Sequence, residues 1–368
     1  MQDAGEAKSL AQHLARRIRA FGPITVEAFM ADVLTHSQHG YYMARQPFGR
    51  GGDFITAPEV SQMFGELIGV WMADAWQRMG RPSAVRIVEM GPGRGVLMCD
   101  LLRAAGSVPE LRAAANVHLV EISPALQQVQ RQALAQSGWE AQWHSTLANV
   151  PDGPLLLVAN ELFDALPIRQ FVRTRTGWCE RLVDATSDET FRLVLTPGPS
   201  PAAAMLPARV RETAPLESVA EVCPAGIALA AELAARVKRD GGAALVIDYG
   251  TTEFGARDTL QAVARHQSHP VLDAPGTADL CAHVDFAMIG QAARESGARL
   301  WGPTTQGAFL ERLGIQVRAE ALARRATPAQ KADIESALRR LTGAEGMGSL
   351  FQVLVIASPA LTELAGFL

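Results

Sequence analysis

The segment RIVEMGPGRGVL, from Arg86 to Leu97, constrains the fold of this chain more than any other stretch. An apolar strand runs directly into a turn that contains Gly91, Gly93 and Gly95, and the chain then becomes helical. Glycines in such a turn let the backbone approach a nucleotide closely. The segment therefore predicts a nucleotide site at the end of a strand and leaves open which nucleotide binds there.

Strands and helices alternate on both sides of this turn. The pattern predicts strands at 85–90, 117–120, 155–159 and 243–247, and helices at 96–105, 124–135 and 225–239. Short, fully apolar strands that alternate with helices indicate an α/β fold with a doubly wound parallel sheet.

The remaining segments surround this alternating pattern. Helical periodicity predicts an amino-terminal pair of helices at 9–21 and 25–34, and a glycine-rich connector follows at 40–59. Thr56 and Glu59 have the spacing of a capping box, with Pro58 in the first turn of a helix that runs to about Met79. The stretch 168–196 predicts antiparallel hairpins, and 251–282 predicts either a long loop or a small lobe.

Composition and charge exclude several classes of protein. The 368 residues carry a net charge of -4, which gives no overall attraction to nucleic acid. The amino terminus contains Asp3 and Glu6 and lacks the apolar core of a signal peptide, and no apolar stretch reaches the roughly 18 residues of a membrane span. We therefore expect a cytoplasmic protein that is not embedded in a membrane.

Cysteine and histidine usage predicts no metal site and no disulfide framework. The four cysteines are scattered without a CxxC pair, as is typical of reduced cytosolic thiols. Two histidine pairs are closely spaced but lack a third ligand in an ordered motif. These pairs are His36 with His39 and His266 with His269.

The residues of the glycine turn favour S-adenosylmethionine over the other nucleotides. A triphosphate loop needs a lysine and a hydroxyl residue, and neither follows Gly95. A dinucleotide turn needs the GxGxxG spacing and free amides for the pyrophosphate, whereas Pro92 removes one amide here. S-adenosylmethionine has no phosphate and needs acids for its amine and its ribose hydroxyls.

Acidic residues stand where those groups require them. Glu89 lies near the end of the first strand of the pattern, and Glu121 follows the second strand, where such folds place the carboxylate that binds the ribose. Asn160, Glu161 and Asp248 follow two other strands and should converge at the same edge of the sheet.

A set of longer motifs resembles one family. These motifs are FGRGGDFITAPEVSQMFGEL, VEMGPGRGVL, VEISPAL, ANELFDALP, DYG, HVDF and MGSLFQVL. They are similar in content and order to the MidA-like family of class I methyltransferases, which are bacterial and mitochondrial proteins. The mitochondrial members assist the assembly of respiratory complex I, and the resemblance extends from about Phe29 to Ile356.

This resemblance implies a Rossmann-like α/β fold with a seven-stranded sheet, whose last strand, 350–358, inserts antiparallel. The expected organisation is an amino-terminal helical segment and glycine-rich lid at 1–80 and a methyltransferase domain at 81–358. Insertions are expected at about 165–220 and 251–282, and residues 359–368 form a tail. The helical segment and the insertion after the fourth strand are expected to frame the acceptor cleft.

The resemblance also assigns residues to S-adenosylmethionine. Asp53 and Glu59 lie in a segment that either closes over the cofactor as a lid or only links two lobes. The full set of predicted cofactor-binding residues is Asp53, Thr56, Pro58, Glu59, Glu89, Gly91, Pro92, Gly93, Gly95, Glu121, Ile122 and Asn160.

The predicted catalytic residues follow the fourth strand. Asn160 and Glu161 stand where class I methyltransferases hold the acceptor, and Asn-Glu-Leu resembles the glutamate loop of symmetric arginine methyltransferases. A carboxylate there would bind a guanidinium group and localise its charge. Asp164 is a second candidate or a helix cap, and His283 either contacts the acceptor or is a structural histidine.

The resemblance predicts symmetric dimethylation of a protein arginine, on a subunit of respiratory complex I. Two other functions stay open: an assembly chaperone with a vestigial cofactor site, and a small-molecule methyltransferase. The sequence does not identify the acceptor, the number of methyl groups added or the oligomeric state.

Overall fold

Strands are distributed over nearly the whole chain. The computed structural model describes residues 3–44, 56–186 and 190–367. In chain order the strands are β1 (Ile24–Thr25), β2 (Val85–Met90), β3 (Ala115–Val120), β4 (Ala141–His144), β5 (Leu155–Asn160), β6 (Arg169–Thr174), β7 (Gly177–Ala185), β8 (Phe191–Leu195), β9 (Val219–Val222), β10 (Gly242–Thr251), β11 (Gln261–Ala264), β12 (Gln267–His269), β13 (Asp279–Cys281), β14 (Val284–Asp285), β15 (Arg299–Thr305) and β16 (Phe351–Ala357).

The helices alternate with these strands. They are α1 (Asp3–Phe21), α2 (Val26–Thr35), α3 (Tyr41–Ala44), α4 (Ala57–Val60), α5 (Gln62–Arg78), α6 (Val96–Ala105), α7 (Pro109–Ala114), α8 (Pro124–Leu134), α9 (Ala208–Thr213), α10 (Pro224–Asp240), α11 (Phe286–Glu295), α12 (Gln306–Arg312), α13 (Ile315–Ala323), α14 (Pro328–Thr342) and α15 (Met347–Leu350). Short 3₁₀ helices cover Leu147–Asn149 and Pro201–Met205.

Each of the two compact units of the chain is assembled from three stretches of sequence. The sheet unit comprises Ile55–Phe163, Leu229–Gly250 and Ile289–Leu368. The hairpin unit comprises Met1–Phe54, Asp164–Ala228 and Thr251–Met288.

The sheet unit has the strand order β15-β16-β10-β5-β2-β3-β4. Strands β10, β5, β2, β3 and β4 run parallel to one another, whereas β16 is antiparallel to both β10 and β15. Every residue of β5 is buried, which explains its unbroken apolar sequence LLLVA. The predicted doubly wound sheet and its antiparallel last strand are confirmed.

The start of α4 and α5 differs from the predicted capping box at Thr56 and Glu59. Thr56 precedes α4, but its side chain makes no capping hydrogen bond. The helix also stops at Val60, because Ser61 is extended and begins a second helix, where its side chain accepts from the N–H of Met63. The predicted single helix is therefore two helices, and the residue that caps α5 is Ser61.

The hairpin unit contains two antiparallel sheets. In the first, β7 pairs with β1, β6 and β8, and β9 pairs with β6. This confirms the hairpins predicted between residues 168 and 196. In the second, β11 lies between β12 and β13, so the segment at 251–282 is a small lobe with its own sheet and not an unstructured loop.

Candidate functional site

Three parallel strands of the sheet unit end at the same edge. Met90 of β2 is in register with Val120 of β3 and with Ala159 of β5. Ligands of such sheets bind beyond the carboxyl ends of the strands, and this edge is where the predicted acids Glu89 and Glu121 stand. The structure thus brings together the main elements of the predicted cofactor site.

The turn after β2 adopts a conformation that favours glycine. Gly91, Gly93 and Gly95 have φ values of 64°, 52° and 81°, in the left-handed region. The N–H of Gly91 donates to the carbonyl of Val120, and a Cβ at Gly91 would lie 2.9 Å from a methyl carbon of Leu162. The glycines are therefore required by the path of the backbone; in this turn Gly91 is exposed and Gly93 is half-buried, whereas Pro92 is buried.

Glu89 is a buried carboxylate that still needs a partner. Its side chain is 3% exposed, and its Oε2 has no hydrogen-bond partner among the described residues. Burial raises the pKa of Glu89 well above its usual range, the charge of Glu121 adds to this, and the N–H of Met98 opposes it. A ligand with an ammonium group would satisfy Oε2, so this position fits the amine of S-adenosylmethionine.

Glu121 is held at the start of α8. Its Oε1 accepts from the N–H of Ser123 at 2.7 Å, and its Oε2 accepts from Nε2 of Gln130 at 3.1 Å. Burial raises the pKa of Glu121, whereas these two hydrogen bonds lower it. The adjacent Ile122 is 48% exposed, so an accessible apolar side chain lies next to the carboxylate. The carboxylate suits the ribose hydroxyls, and the apolar side chain suits the adenine base.

Glu161 follows β5 in a strained conformation. It has a φ of 51°, which is uncommon for a residue with a side chain and concentrates at functional sites. Its Oε1 accepts from Nδ2 of Asn160 at 3.0 Å and from the N–H of Ala57 at 3.1 Å. Oδ1 of Asn160 is buried and has no hydrogen-bond partner within the described ranges, so it is a second polar atom available to a ligand.

Asp248 fixes the backbone after β5. It is fully buried, and its carboxylate accepts from the N–H groups of Phe163 and Tyr249, both at 2.9 Å. This position confirms that Asp248 lies at the carboxyl edge of the sheet. Its hydrogen bonds give it a role in shaping the loop that carries Glu161.

The short helix α4 lies beside this site. Oε1 of Glu59 is 3.4 Å from Nη1 of Arg94, which stands within the glycine turn. Pro58 is buried, and Thr56 is half-buried. Asp53 lies outside the described residues.

Two predicted catalytic residues, Asp164 and His283, belong to the hairpin unit. The main-chain oxygen of Asp164 accepts from the N–H of Ala282, and the N–H of His283 donates to Oγ1 of Thr259. Burial and the charge of Arg257 lower the pKa of His283, which favours its neutral form. Their roles in catalysis stay predictions.

The histidine pair His36 and His39 makes aromatic contacts. The rings of His36 and His39 stack at 5.3 Å, and His13 meets His36 edge-on. Within the residues that the structure describes, no group of three or more His, Cys, Asp or Glu side chains could hold a metal ion.

Sequence reasoning missed two contributors to this site. Arg94 pairs with Glu59, and Gln130 reaches from α8 to the glycine turn. Arg94 stood within the motif that was recognised, whereas the sequence around Gln130 carries no signal of its role.

The comparison with protein families decides the class of enzyme. A family model described as S-adenosyl-L-methionine-dependent methyltransferase matches residues 67–304. The chain belongs to this family. The enzyme is therefore a methyltransferase that uses S-adenosylmethionine, as the glycine turn and its acids predict.

Relatives with curated names support this assignment. The methyltransferase is 38% identical over 376 residues to "Protein arginine methyltransferase NDUFAF7, mitochondrial" of Danio rerio, covering 96% of this chain and 88% of the relative. It is 40% identical to the Homo sapiens protein of the same name, covering 84% of this chain and 74% of that one.

A solved structure shares the whole fold. A Burkholderia thailandensis protein, crystallised with S-adenosyl-homocysteine, is 29% identical and superposes with a TM-score of 0.86. The match covers 99% of this methyltransferase and 95% of that chain. The predicted class I methyltransferase fold is confirmed. In the described part of this methyltransferase, no helix is both long enough and apolar enough to span a bilayer.

Proposed function

We propose that this enzyme transfers methyl groups to arginine side chains of a protein. The observation that carries the proposal is Glu161, a strained carboxylate oriented by Asn160 and by the N–H of Ala57 at the edge where the cofactor residues converge. The curated relatives are named protein arginine methyltransferases, which supports the same acceptor.

The residues divide the work of binding the cofactor. Glu121 accepts hydrogen bonds from the ribose hydroxyls, and Glu89 binds the amine, which neutralises its buried charge. The glycine turn accommodates the methionine end. When bound, S-adenosylmethionine supplies a methyl group that is electrophilic because it is attached to a sulfonium.

Glu161 acts on the acceptor. A guanidinium is a poor nucleophile because its lone pairs are delocalised, and a carboxylate that binds two of its N–H groups localises the positive charge away from the third nitrogen. The two donors on Oε1 of Glu161 fix the orientation of the carboxylate before the acceptor binds. Asp164 and His283 are proposed as further residues that act on the acceptor.

The finer assignment is symmetric dimethylation of an arginine on a respiratory complex I subunit, in the cytoplasm. The resemblance of the Asn160-Glu161-Leu162 segment to the glutamate loop of symmetric enzymes supports the type of product. The family resemblance supports an assembly role for the modified subunit, although the curated relatives compared above are named as mitochondrial.

One experiment separates the candidate functions. The enzyme is incubated with methyl-labelled S-adenosylmethionine and a cell extract, and the labelled protein is hydrolysed to identify its methylated amino acids. We expect label in protein, recovered as symmetric dimethylarginine. Label in the small-molecule fraction alone would favour a small-molecule methyltransferase. Cofactor binding without any transfer would favour an assembly chaperone.

A further inference from the structure

Gln130 makes three hydrogen bonds from a completely buried position on α8. Its Nε2 donates to the carbonyl of Gly93 at 2.8 Å and to Oε2 of Glu121 at 3.1 Å. Its Oε1 accepts from the indole N–H of Trp143 at 2.9 Å. One amide therefore links the turn after β2, the carboxylate after β3 and the strand β4.

We propose that Gln130 is a positioning residue for cofactor binding, which ties the glycine turn to the carboxylate of Glu121 before the cofactor arrives. This inference rests on the proposed role of Glu121 as the ribose-binding acid. It adds a residue that does not touch the cofactor and acts through two groups that do.

The indole of Trp143 fixes which way the amide points. An indole nitrogen can only donate, so the carbonyl oxygen of Gln130 must face it. Both hydrogens of Nε2 then face acceptors, which are the carbonyl of Gly93 and the carboxylate of Glu121. An ionised glutamate offers no donor and a lysine offers no acceptor, so neither can make this set of three hydrogen bonds.

Close packing brings α8 to the turn. A Cβ placed on Gly95 would lie 3.5 Å from both Cα and Cγ of Gln130, so the helix backbone is already in contact with the turn. Ser123 and Gln130 each hold one oxygen of Glu121. The carboxylate is thus fixed from two sides, which removes most of the ordering that binding would otherwise require.

Gln130 also opposes the protonation of Glu121. Burial raises the pKa of Glu121, and the N–H groups of Gln130, Ser123 and Ile122 counteract that rise. Glu89 is the neighbouring carboxyl group on β2, and the charge of Glu121 raises the pKa of Glu89. Loss of the Gln130 donor should therefore let Glu121 take up a proton at a higher pH than in the parent enzyme.

The test replaces Gln130 with methionine, which has a similar volume and no amide. We expect S-adenosylhomocysteine to bind about tenfold to a hundredfold more weakly, because a hydrogen bond to a charged group is lost. The acid limb of the affinity profile should move to higher pH. Isothermal titration calorimetry across the acidic to neutral range measures both effects. The matched control is Gln132→Met, an exposed position on the same helix, which should bind like the parent.

A second variant protects the test against misfolding. Trp143→Phe keeps an aromatic side chain, although a smaller one, and removes the N–H that orients Gln130, so it should weaken binding less than Gln130→Met and in the same direction. If Gln130→Met folds but keeps the parent affinity and pH profile, the proposal is wrong. If Gln130→Met does not fold, unchanged binding by Trp143→Phe overturns it.

A variant of Glu121 separates this proposal from the cofactor assignment. If Glu121→Ala loses affinity while Gln130→Met and Trp143→Phe do not, Gln130 is only a packing residue and the ribose assignment stands. If Glu121→Ala also binds normally, the assignment of Glu121 fails, and the proposal for Gln130 fails with it.

Discussion

The substitution Glu161→Gln isolates the charge of the proposed acceptor carboxylate. Oε1 of Glu161 only accepts hydrogen bonds in these contacts, from Nδ2 of Asn160 and from the N–H of Ala57. The carbonyl oxygen of glutamine accepts from the same two donors, so the side chain keeps its orientation. The amide nitrogen then takes the place of Oε2, and the acceptor arginine meets a neutral group that donates hydrogen bonds.

The size of the effect follows from what is lost. The two hydrogen bonds to Oε1 remain, and the main loss is the interaction with the guanidinium. Removal of one well-placed electrostatic group lowers a rate by about two to four orders of magnitude, or about 3 to 5 kcal/mol of transition-state stabilisation. Cofactor affinity should be unchanged, because Glu89 and Glu121 are untouched.

The assay compares transfer and binding in the same preparation. Single-turnover transfer of labelled methyl groups to the protein acceptor gives the rate, and calorimetric titration gives the cofactor dissociation constant. Glu110→Gln, an exposed carboxylate on α7, serves as the matched control and should transfer at the parent rate. Transfer by Glu161→Gln at near the parent rate would show that this carboxylate does not hold the acceptor.

Three further variants test the cofactor site. Glu121→Ala should weaken S-adenosylhomocysteine binding by about 1.5 to 3 kcal/mol in calorimetry, because the ribose loses a charged acceptor; equal affinity would remove Glu121 from the site. Gly93→Val should abolish binding, because a branched side chain would stand in the glycine turn at a φ of 52°. Normal binding by the folded variant would show that the glycine turn has only a structural role. Glu89 has a raised pKa in the folded protein, so its contribution to stability without cofactor is complete below the unfolded value of 4.5 and is lost as pH rises towards the folded value. Glu89→Gln should therefore show a smaller drop in melting temperature than the parent between mildly acidic and neutral pH, and an equal drop would contradict the buried-charge argument.

Local sequence signals predicted the elements that carry the cofactor site. The strand at 85–90 and the helix at 96–105 have the observed bounds, because an apolar run, three glycines and a renewed helical period mark both ends. The positions of Glu89 and Glu121 followed from the same rules, because carboxyl ends of parallel strands meet at one edge.

Other features depend on contacts that sequence patterns do not encode. The hairpin between β11 and β12 turns at Arg265 and His266, both with positive φ, whereas the usual signal for such a turn is Asn-Gly or Asp-Gly. The role of Gln130 depends on which face of α8 packs on the glycine turn. The break at Ser61 depends on an extended residue between two helices that share one apolar pattern.

The position of β16 means that the sheet cannot be completed until the end of the chain has been synthesised. This strand pairs with β10, which precedes it by about a hundred residues, and with β15. During synthesis, one side of β10 stays without its partner until the carboxyl-terminal segment has emerged. A bare, apolar strand edge of this kind invites pairing with other chains. The strands around Glu89 and Glu121 are therefore complete before β16 is synthesised. Until β16 pairs with β10, the edge of β10 stays exposed to aggregation.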